Sequence, residues 1–508
     1  VTRRPLARTA HPAGPARPAR PARPARLAVA VVAALGLLAA ACSSSGSGSD
    51  QAAPPGSARD LPPCPLDALD QATQPVEVVV WHFLQAKTRD ALEELANRYN
   101  ASQTKVRVRV ENQGTSNDEL WKKYQAGVKA RDLPGVAILD DTVTEQIVDS
   151  GTVLPAQSCI DATKADMSDF LPTGRAYYTI DGALYPASLN LSGALLYYNK
   201  NHYRRAGLDP EQTPKTLDEV REQARRIKAA GVVDKPVVLQ VSPAILEMFL
   251  TGAGAPIVNN DNGRGSGRTD ASAYDSPTTV GLYRWVREMV DEGLMEALPQ
   301  TPGQVGQYLA MANQKASMTI ETSTAATSVE AFLKGDLTTR GLPAGIDAGA
   351  VDPAALDIGA AKVPGIREPG RLAMGGGAWY ITNTTPAAVQ AGAWDFLTFV
   401  NSLDSQVTWN LVGSYLPYRM SAAKDARVVD NWTNTLSGRW LAVAYDELLT
   451  GVDPAFPGPL IGPYDQVRGA MRTSVDELIF NGAAPEAAVT GADTEITKVL
   501  TQYQEENF

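Results

Sequence analysis

Between positions 76 and 139 the chain alternates between two periodicities, and this alternation constrains the fold more than any other feature. Val76-Glu-Val-Val-Val-Trp81 is rich in branched side chains, and Lys105-Val-Arg-Val-Arg-Val110 alternates strictly, as a half-buried strand does. Val136-Ala-Ile-Leu139 is short and apolar throughout, the composition of a buried strand. Between these runs, Thr88 caps a segment with Ala91, Leu92, Leu95, Ala96 and Tyr99 on one helical face, and 119–130 reads as a more polar helix. The order β-α-β-α-β implies a largely parallel sheet covered by helices, because parallel neighbours must be joined by crossovers.

The second half follows the same grammar. Thr216-Leu-Asp-Glu219 is a capping box for a helix that stops at Gly231. Ser276-Pro277 and Thr385-Pro386 each place proline in a helix's first turn. No repeat of 20–50 residues is visible, and 508 residues suggest two or three folding units.

Charge is unevenly spread. Residues 1–41 hold seven arginines and no acid, which leaves 39 basic against 56 acidic residues, a balance of −17, in the rest of the chain. A body so acidic repels phosphate backbones, so nucleic acid is not an expected partner. The basic stretch precedes fifteen uncharged apolar residues, 27–41, too few to span a bilayer and suited to a signal peptide. Ala39, Ala40 and Ala41 lead into Cys42, which resembles the lipidation point of a bacterial lipoprotein signal, although Leu38 stands one place earlier than is usual. A plain secretory signal is the alternative. Residues 42–74 form a Ser/Gly/Pro-rich flexible tether. Export makes a disulfide between Cys64 and Cys159 the expected pairing; two buried thiols are the other possibility.

Ligands of open parallel sheets lie beyond the carboxyl ends of the strands. Trp81 and His82 end the first strand, Asp140 and Asp141 the third, and Gly375-Gly-Gly377 precedes another apolar run. Carboxylates accept hydroxyl hydrogen bonds and aromatic rings cover apolar sugar faces, so these residues suit a neutral polyhydroxy ligand.

Leu195-Leu-Tyr-Tyr-Asn-Lys200, Ala206-Gly-Leu-Asp-Pro210 and Pro214-Lys-Thr-Leu-Asp-Glu219 resemble the central signature of family 1 extracellular solute-binding proteins. These are the receptors of ABC importers for sugars and glycerol-phosphate compounds. The similarity extends through Ala137-Ile-Leu-Asp-Asp141, Gly151-Thr-Val-Leu-Pro155, Ala316-Ser-Met-Thr-Ile320 and Gly413-Ser-Tyr-Leu-Pro417, over about residues 75–505. It implies an α/β fold of periplasmic-binding-protein type, with two lobes, a hinge and an interlobe cleft that closes on ligand. By resemblance, 75–190 and 318–375 form lobe 1, and 191–317 and 376–508 form lobe 2.

The resemblance also implies contacts. Asp141 matches an acidic ligand contact, with Asp140 beside it; Asn117 stands where a tyrosine is expected, so Asp118 is the candidate there. Asn190, Ser192, Thr322 and Ser323 match polar ligand-facing stretches, Gly376 and Gly377 a glycine pair, and Tyr415 and Tyr464 aromatic contacts; His82 is a candidate donor. Two departures bear on the ligand. Gln240-Val-Ser-Pro243 has no aromatic where glycerol-phosphate receptors present tryptophans, and Leu460 stands where their phosphate-binding arginine is expected. Arg419 and Arg468 could substitute, but an uncharged carbohydrate ranks first and glycerol-3-phosphate or a glycerophosphodiester second.

No nucleophile elbow, Walker loop or His-Glu-x-x-His occurs, and no cofactor or metal is expected. Asn259-Asn-Asp-Asn-Gly263 resembles a calcium loop, but Thr269 falls where the acidic twelfth residue belongs, so a surface hairpin is expected. Adjacent Asp140 and Asp141 do not suit a glycosidase, whose two carboxyls must face each other across a bond. The expected protein is thus a non-enzymatic, monomeric receptor, lipid-anchored outside the cytoplasmic membrane, that hands a carbohydrate to the transmembrane subunits of an ABC permease.

Overall fold

The structure is a computed structural model that describes residues 61–299, 306–334, 356–369, 375–453 and 456–508. The leader, Cys42 and the tether up to residue 60 lie outside the described residues. Everything below falls within one compact unit, Gly56–Phe508.

The first sheet grows from the alternation in the sequence. In β1 (Val76–His82), Val76, Val78 and Val80 are buried and Glu77 is exposed. β1 pairs in parallel with β2 (Val106–Asn112) on one side and β3 (Val136–Asp140) on the other. The crossover helix Ala86–Ser102 buries Ala91, Leu92, Leu95, Ala96 and Tyr99, the stripe read from the sequence, although it begins two residues before Thr88. Beyond β3, the sheet continues with β13 (Gly375–Thr382) and β4 (Val153–Leu154), and β7 (Ser188–Ser192) also pairs with β13. β5 (Thr179–Ile180) and β6 (Ala183–Leu184) form a separate hairpin.

A second sheet has the order β10 (Met295–Leu298), β9 (Val237–Gln240), β11 (Met318–Thr322), β8 (Ala194–Asn199), β12 (Ile358–Ala361). The chain passes from the first sheet to the second at Gly193, between β7 and β8. Ser323 clamps this crossing: its N–H donates to the Gly193 carbonyl at 2.7 Å, and its hydroxyl accepts from the Gly193 N–H at 3.2 Å.

The strand pairing corrects the expected partition of the chain. Residues 318–375 were expected with the first sheet, yet Met318–Thr322 and Ile358–Ala361 flank β8 in the second. Residues 376–508 were expected with the second, yet β13 lies antiparallel between β3 and β7, and helix Ala387–Val400 packs on β1. The reason is physical: an apolar strand buried on both faces carries no parity that says which sheet owns it. Helices Leu436–Thr450, Tyr464–Ile479 and Pro485–Asn507 do accompany the second sheet, against β12, helix Pro243–Gly252 and helix Pro277–Asp291.

Trp379, fully buried in β13, packs against Phe396 and Trp409 at ring centroid distances of 6.3 and 5.6 Å. Its indole N–H donates to Asn190 Oδ1 at 2.6 Å, so the buried polar edge is satisfied. Cys64 and Cys159 are joined by a disulfide, with Cα atoms 4.9 Å apart, which fixes the end of the tether to helix Ala156–Thr163.

Candidate functional site

A cleft of about 740 Å³ lies where β3, the β7–β8 crossing, the start of β13 and helix Tyr464–Ile479 meet. The placement follows from topology, since β3 delivers its carboxyl end there. Asp140 is the last residue of β3; its carboxylate accepts from the Thr142 N–H and hydroxyl, capping the turn Asp141–Val143, and from Asn117 Nδ2 at 2.6 Å. Asp141 sits beside it. Burial, and then the neighbouring charge of Asp140, hold the Asp141 carboxyl well above its ordinary range.

The opposite wall comes from helix Tyr464–Ile479. Tyr464 and Arg468, one turn apart, both line the cleft, with the guanidinium 5.2 Å from the ring centroid. Arg468 Nε donates to both oxygens of buried Glu247 at 2.9 and 3.1 Å, and its Nη1 lies 3.7 Å from Asp140. The arginine is therefore already neutralised from two sides. Six carboxyl groups (Asp118, Asp140, Asp141, Glu247, Glu321, Asp465) and three cations (Lys122, Arg468, Arg472) line the cleft, and burial raises three of the carboxyls, Asp141, Glu321 and Asp465, towards their neutral forms. Glu321 accepts from the Thr322 N–H at 2.8 Å and Gln307 at 2.7 Å.

Asp118, Asp140, Asp141, Asn190, Ser192, Thr322, Gly376, Gly377, Tyr415 and Tyr464 all line this cleft. Several also have internal work. Tyr415 stacks on Trp409 at 5.2 Å and 10°, and Thr322 caps the turn Ser323–Ala325. Gly376 is demanded by the backbone: its φ is +136°, and a Cβ there would sit 1.7 Å from the Asn190 carbonyl oxygen.

Two expected contacts fall outside. His82 is 2 % exposed because it shares strand parity with Val76, Val78 and Val80 and so faces the core; burial lowers its pKa to about 4. Phe83, one residue on, takes the place in the wall. Ser323 is fully buried at the crossing, where it bonds Gly193 instead. Arg419, a candidate for phosphate, pairs with Asp169 at 2.7 Å and does not line the cleft.

Sequence reasoning missed Trp121 and Glu247. Trp121 lies four residues after Asn117, hence on the same helix face, stacked on Tyr124 at 5.7 Å. Glu247 is the lone charge in the apolar helix Pro243–Gly252, and a buried carboxylate requires a partner. The Asn259–Gly263 segment opens with a left-handed turn, Asn260, Asp261 and Asn262 all having φ between +52° and +55°, in a connection whose flanks return antiparallel through the Val258–Ser272 bridge. The Asn262 carbonyl accepts from the Leu460 N–H at 3.0 Å, beside the Pro457–Gly458–Pro459 wall of the cleft.

Residues 94–435 match the family described as bacterial extracellular solute-binding protein. The sn-glycerol-3-phosphate-binding periplasmic protein UgpB of Pectobacterium atrosepticum is 23% identical over 350 residues, 68% of this chain and 74% of that protein. UgpB of Escherichia coli K12 is 23% identical over 361 residues, 70% of this chain and 77% of its own. Among solved structures, the cyclic alpha-maltosyl-1,6-maltose binding protein of Arthrobacter globiformis superposes with a TM-score of 0.65 at 22% identity, covering 84% of this chain and 100% of that one. UgpB of Mycobacterium tuberculosis, in complex with glycerophosphocholine, gives 0.66 at 18%, covering 85% and 100%. Among the described residues no helix is long and apolar enough to cross a membrane, and no group of three or more His, Cys, Asp or Glu could hold a metal ion.

Proposed function

We propose that the chain, which belongs to the bacterial extracellular solute-binding protein family, takes up a neutral carbohydrate in its cleft and delivers it to the membrane subunits of an ABC importer. The single observation that carries the choice of ligand is the engagement of Arg468 by Glu247 and Asp140, in a cleft whose carboxyls outnumber its cations. A phosphate placed there meets an arginine whose charge is already balanced, whereas hydroxyls find hydrogen-bond partners in Asp140 and Asp141. The aromatic walls Phe83, Trp121, Tyr415 and Tyr464 suit sugar-ring faces, and about 740 Å³ accommodates a mono- or oligosaccharide.

The second reading is glycerol-3-phosphate or a glycerophosphodiester. It is favoured by the names of the relatives and by Lys122 and Arg472, which also line the cleft. The receptor performs no chemistry in either case. Export with lipidation of Cys42 would tether it, as a monomer, to the outer face of the cytoplasmic membrane.

Thermal-shift screening against oligosaccharides, monosaccharides, polyols and glycerophosphodiesters, followed by calorimetry, tests this. Stabilisation by a carbohydrate without turnover supports the first reading; stabilisation by phosphodiesters alone selects the second. Release of product from any glycoside would instead make the protein a glycosidase.

A further inference from the structure

Outside the cleft, a cluster of charges joins elements that accompany the two different sheets. Helix Thr144–Asp149 follows directly from the Asp140–Asp141 corner of the first sheet. Asp149, at its end, receives Arg268 through both guanidinium nitrogens at 3.0–3.1 Å and the hydroxyl of Tyr503 at 2.9 Å. Arg268 lies in the loop after the left-handed turn, and Tyr503 on helix Pro485–Asn507, both on the second-sheet side. The Arg268 guanidinium also covers the Phe508 ring at 3.2 Å. One helical turn before Asp149 stands Glu145, whose Oε2 is inaccessible and has no hydrogen-bond partner. Arg264, from the same loop as Arg268, bridges the Gly458 carbonyl at 2.6 Å and the Tyr177 carbonyl at 3.2 Å, two residues of the cleft wall, while its Nη2 has no partner.

We propose that this cluster is a proton-operated clasp between the two halves: Glu145 must be neutral for the halves to pack as they do here, and its ionisation drives them apart. The charged and titratable groups that act electrostatically on Glu145 are Asp149 on its own helix, Asp181 in the β5–β6 turn, and Arg264 and Arg268 on the loop, and Glu145 in turn acts on Tyr503 of the C-terminal helix. Burial first, then the charge of Asp149, raises Glu145 from 4.5 to about 7; the two arginines only partly offset this. Linkage fixes the sign. The packed state binds the proton more tightly, so it is favoured at low pH and weakens as pH rises through about 7. If separation returns Glu145 to water, the packed-to-open ratio falls roughly 25-fold between pH 5.5 and 8. Because Asp140 and Asp141 begin the same segment, capture of ligand and closure of the clasp act on one element, and ligand affinity follows the same pH course.

This inference rests on the reading that the two halves move during solute capture. The test is made on the purified protein without ligand. Selective 13C-glutamate spectra of wild type minus Glu145→Gln report the Glu145 titration, and small-angle scattering reports the radius of gyration from pH 5.5 to 8. Expected are a midpoint near 7, expansion of wild type with pH, and a Glu145→Gln variant that stays compact. In Arg268→Ala the midpoint falls towards 4.5 because the halves part; a static cluster would instead show it rise, having lost a cation. A wild-type midpoint near 4.5, a rise in Arg268→Ala, or identical scattering of wild type and Glu145→Gln at every pH overturns the clasp. Absence of carbohydrate binding with the titration intact would sink the ligand reading alone.

Discussion

The ligand argument turns on Arg468, and Glu247→Gln perturbs it directly. Glu247 is 4 % exposed and accepts from both Nε and Nη2 of Arg468, whose side chain is a quarter exposed. Removing one member of a buried ion pair costs about 3–5 kcal/mol. Asp140 remains 3.7 Å from Nη1, and the substituted amide still accepts one hydrogen bond, so the loss here is about 2–3 kcal/mol. Urea denaturation should show that loss at an unchanged m-value. The variant also releases a cation into the cleft. A charge-assisted hydrogen bond to phosphate is worth about 1.5–3 kcal/mol, so affinity for glycerol-3-phosphate should rise roughly tenfold or more, in a salt-sensitive manner. Calorimetry of wild type and variant, at two salt concentrations, gives the comparison. If the variant gains nothing for phosphate, or wild type already binds glycerol-3-phosphate more tightly than any carbohydrate, the neutralised-arginine reasoning is wrong.

Three further outcomes follow from the packing. Replacing Cys64 and Cys159 by serine opens a loop of 95 residues and should lower stability by about 4–5 kcal/mol in the chain-entropy account, measured by denaturation with and without reductant. Gly376→Ala places a Cβ against the Asn190 carbonyl at a backbone angle that L-residues avoid; a loss above about 2 kcal/mol is expected, and a neutral effect would mean that β7 and β13 are not so closely paired. Burial raises Glu447 from 4.5 to about 8, so the folded state holds an extra proton between those values and stability declines as pH climbs from 5 to 8. Glu447→Gln should flatten that decline and be the more stable protein at pH 8; parallel pH–stability curves would show that Glu447 is not the group responsible.

Much of this was legible because strands and helices bury their residues at different periods. Val76, Val78 and Val80, and the Ala91–Tyr99 stripe, report their own burial through spacing alone. The same rule, applied one residue further, would have sent His82 to the core with its valines; its polar character suggested a ligand contact that its parity forbids. Register failed differently. β13 enters antiparallel between β3 and β7, and nothing in Gly375-Gly-Gly-Ala-Trp379 distinguishes that location from the second sheet. What marks it is Trp379, whose indole finds its acceptor in Asn190 across the strand pair, a contact that exists only after folding.

The site shows why residue type outran residue role. The sequence offers Asp141 as an acidic ligand contact with Asp140 beside it, and their surroundings divide them. Asp140 accepts from Asn117 and Thr142 and faces Arg468. Asp141 is buried beside it, and burial, then the charge of Asp140, raise its carboxyl well above the ordinary range. Of the two, Asp141 is the more readily protonated, and a polyol's hydroxyls can meet a carboxyl in either form because they both donate and accept. This asymmetry between neighbours, invisible in an Asp-Asp dipeptide, is one ground on which the cleft is proposed to take an uncharged ligand.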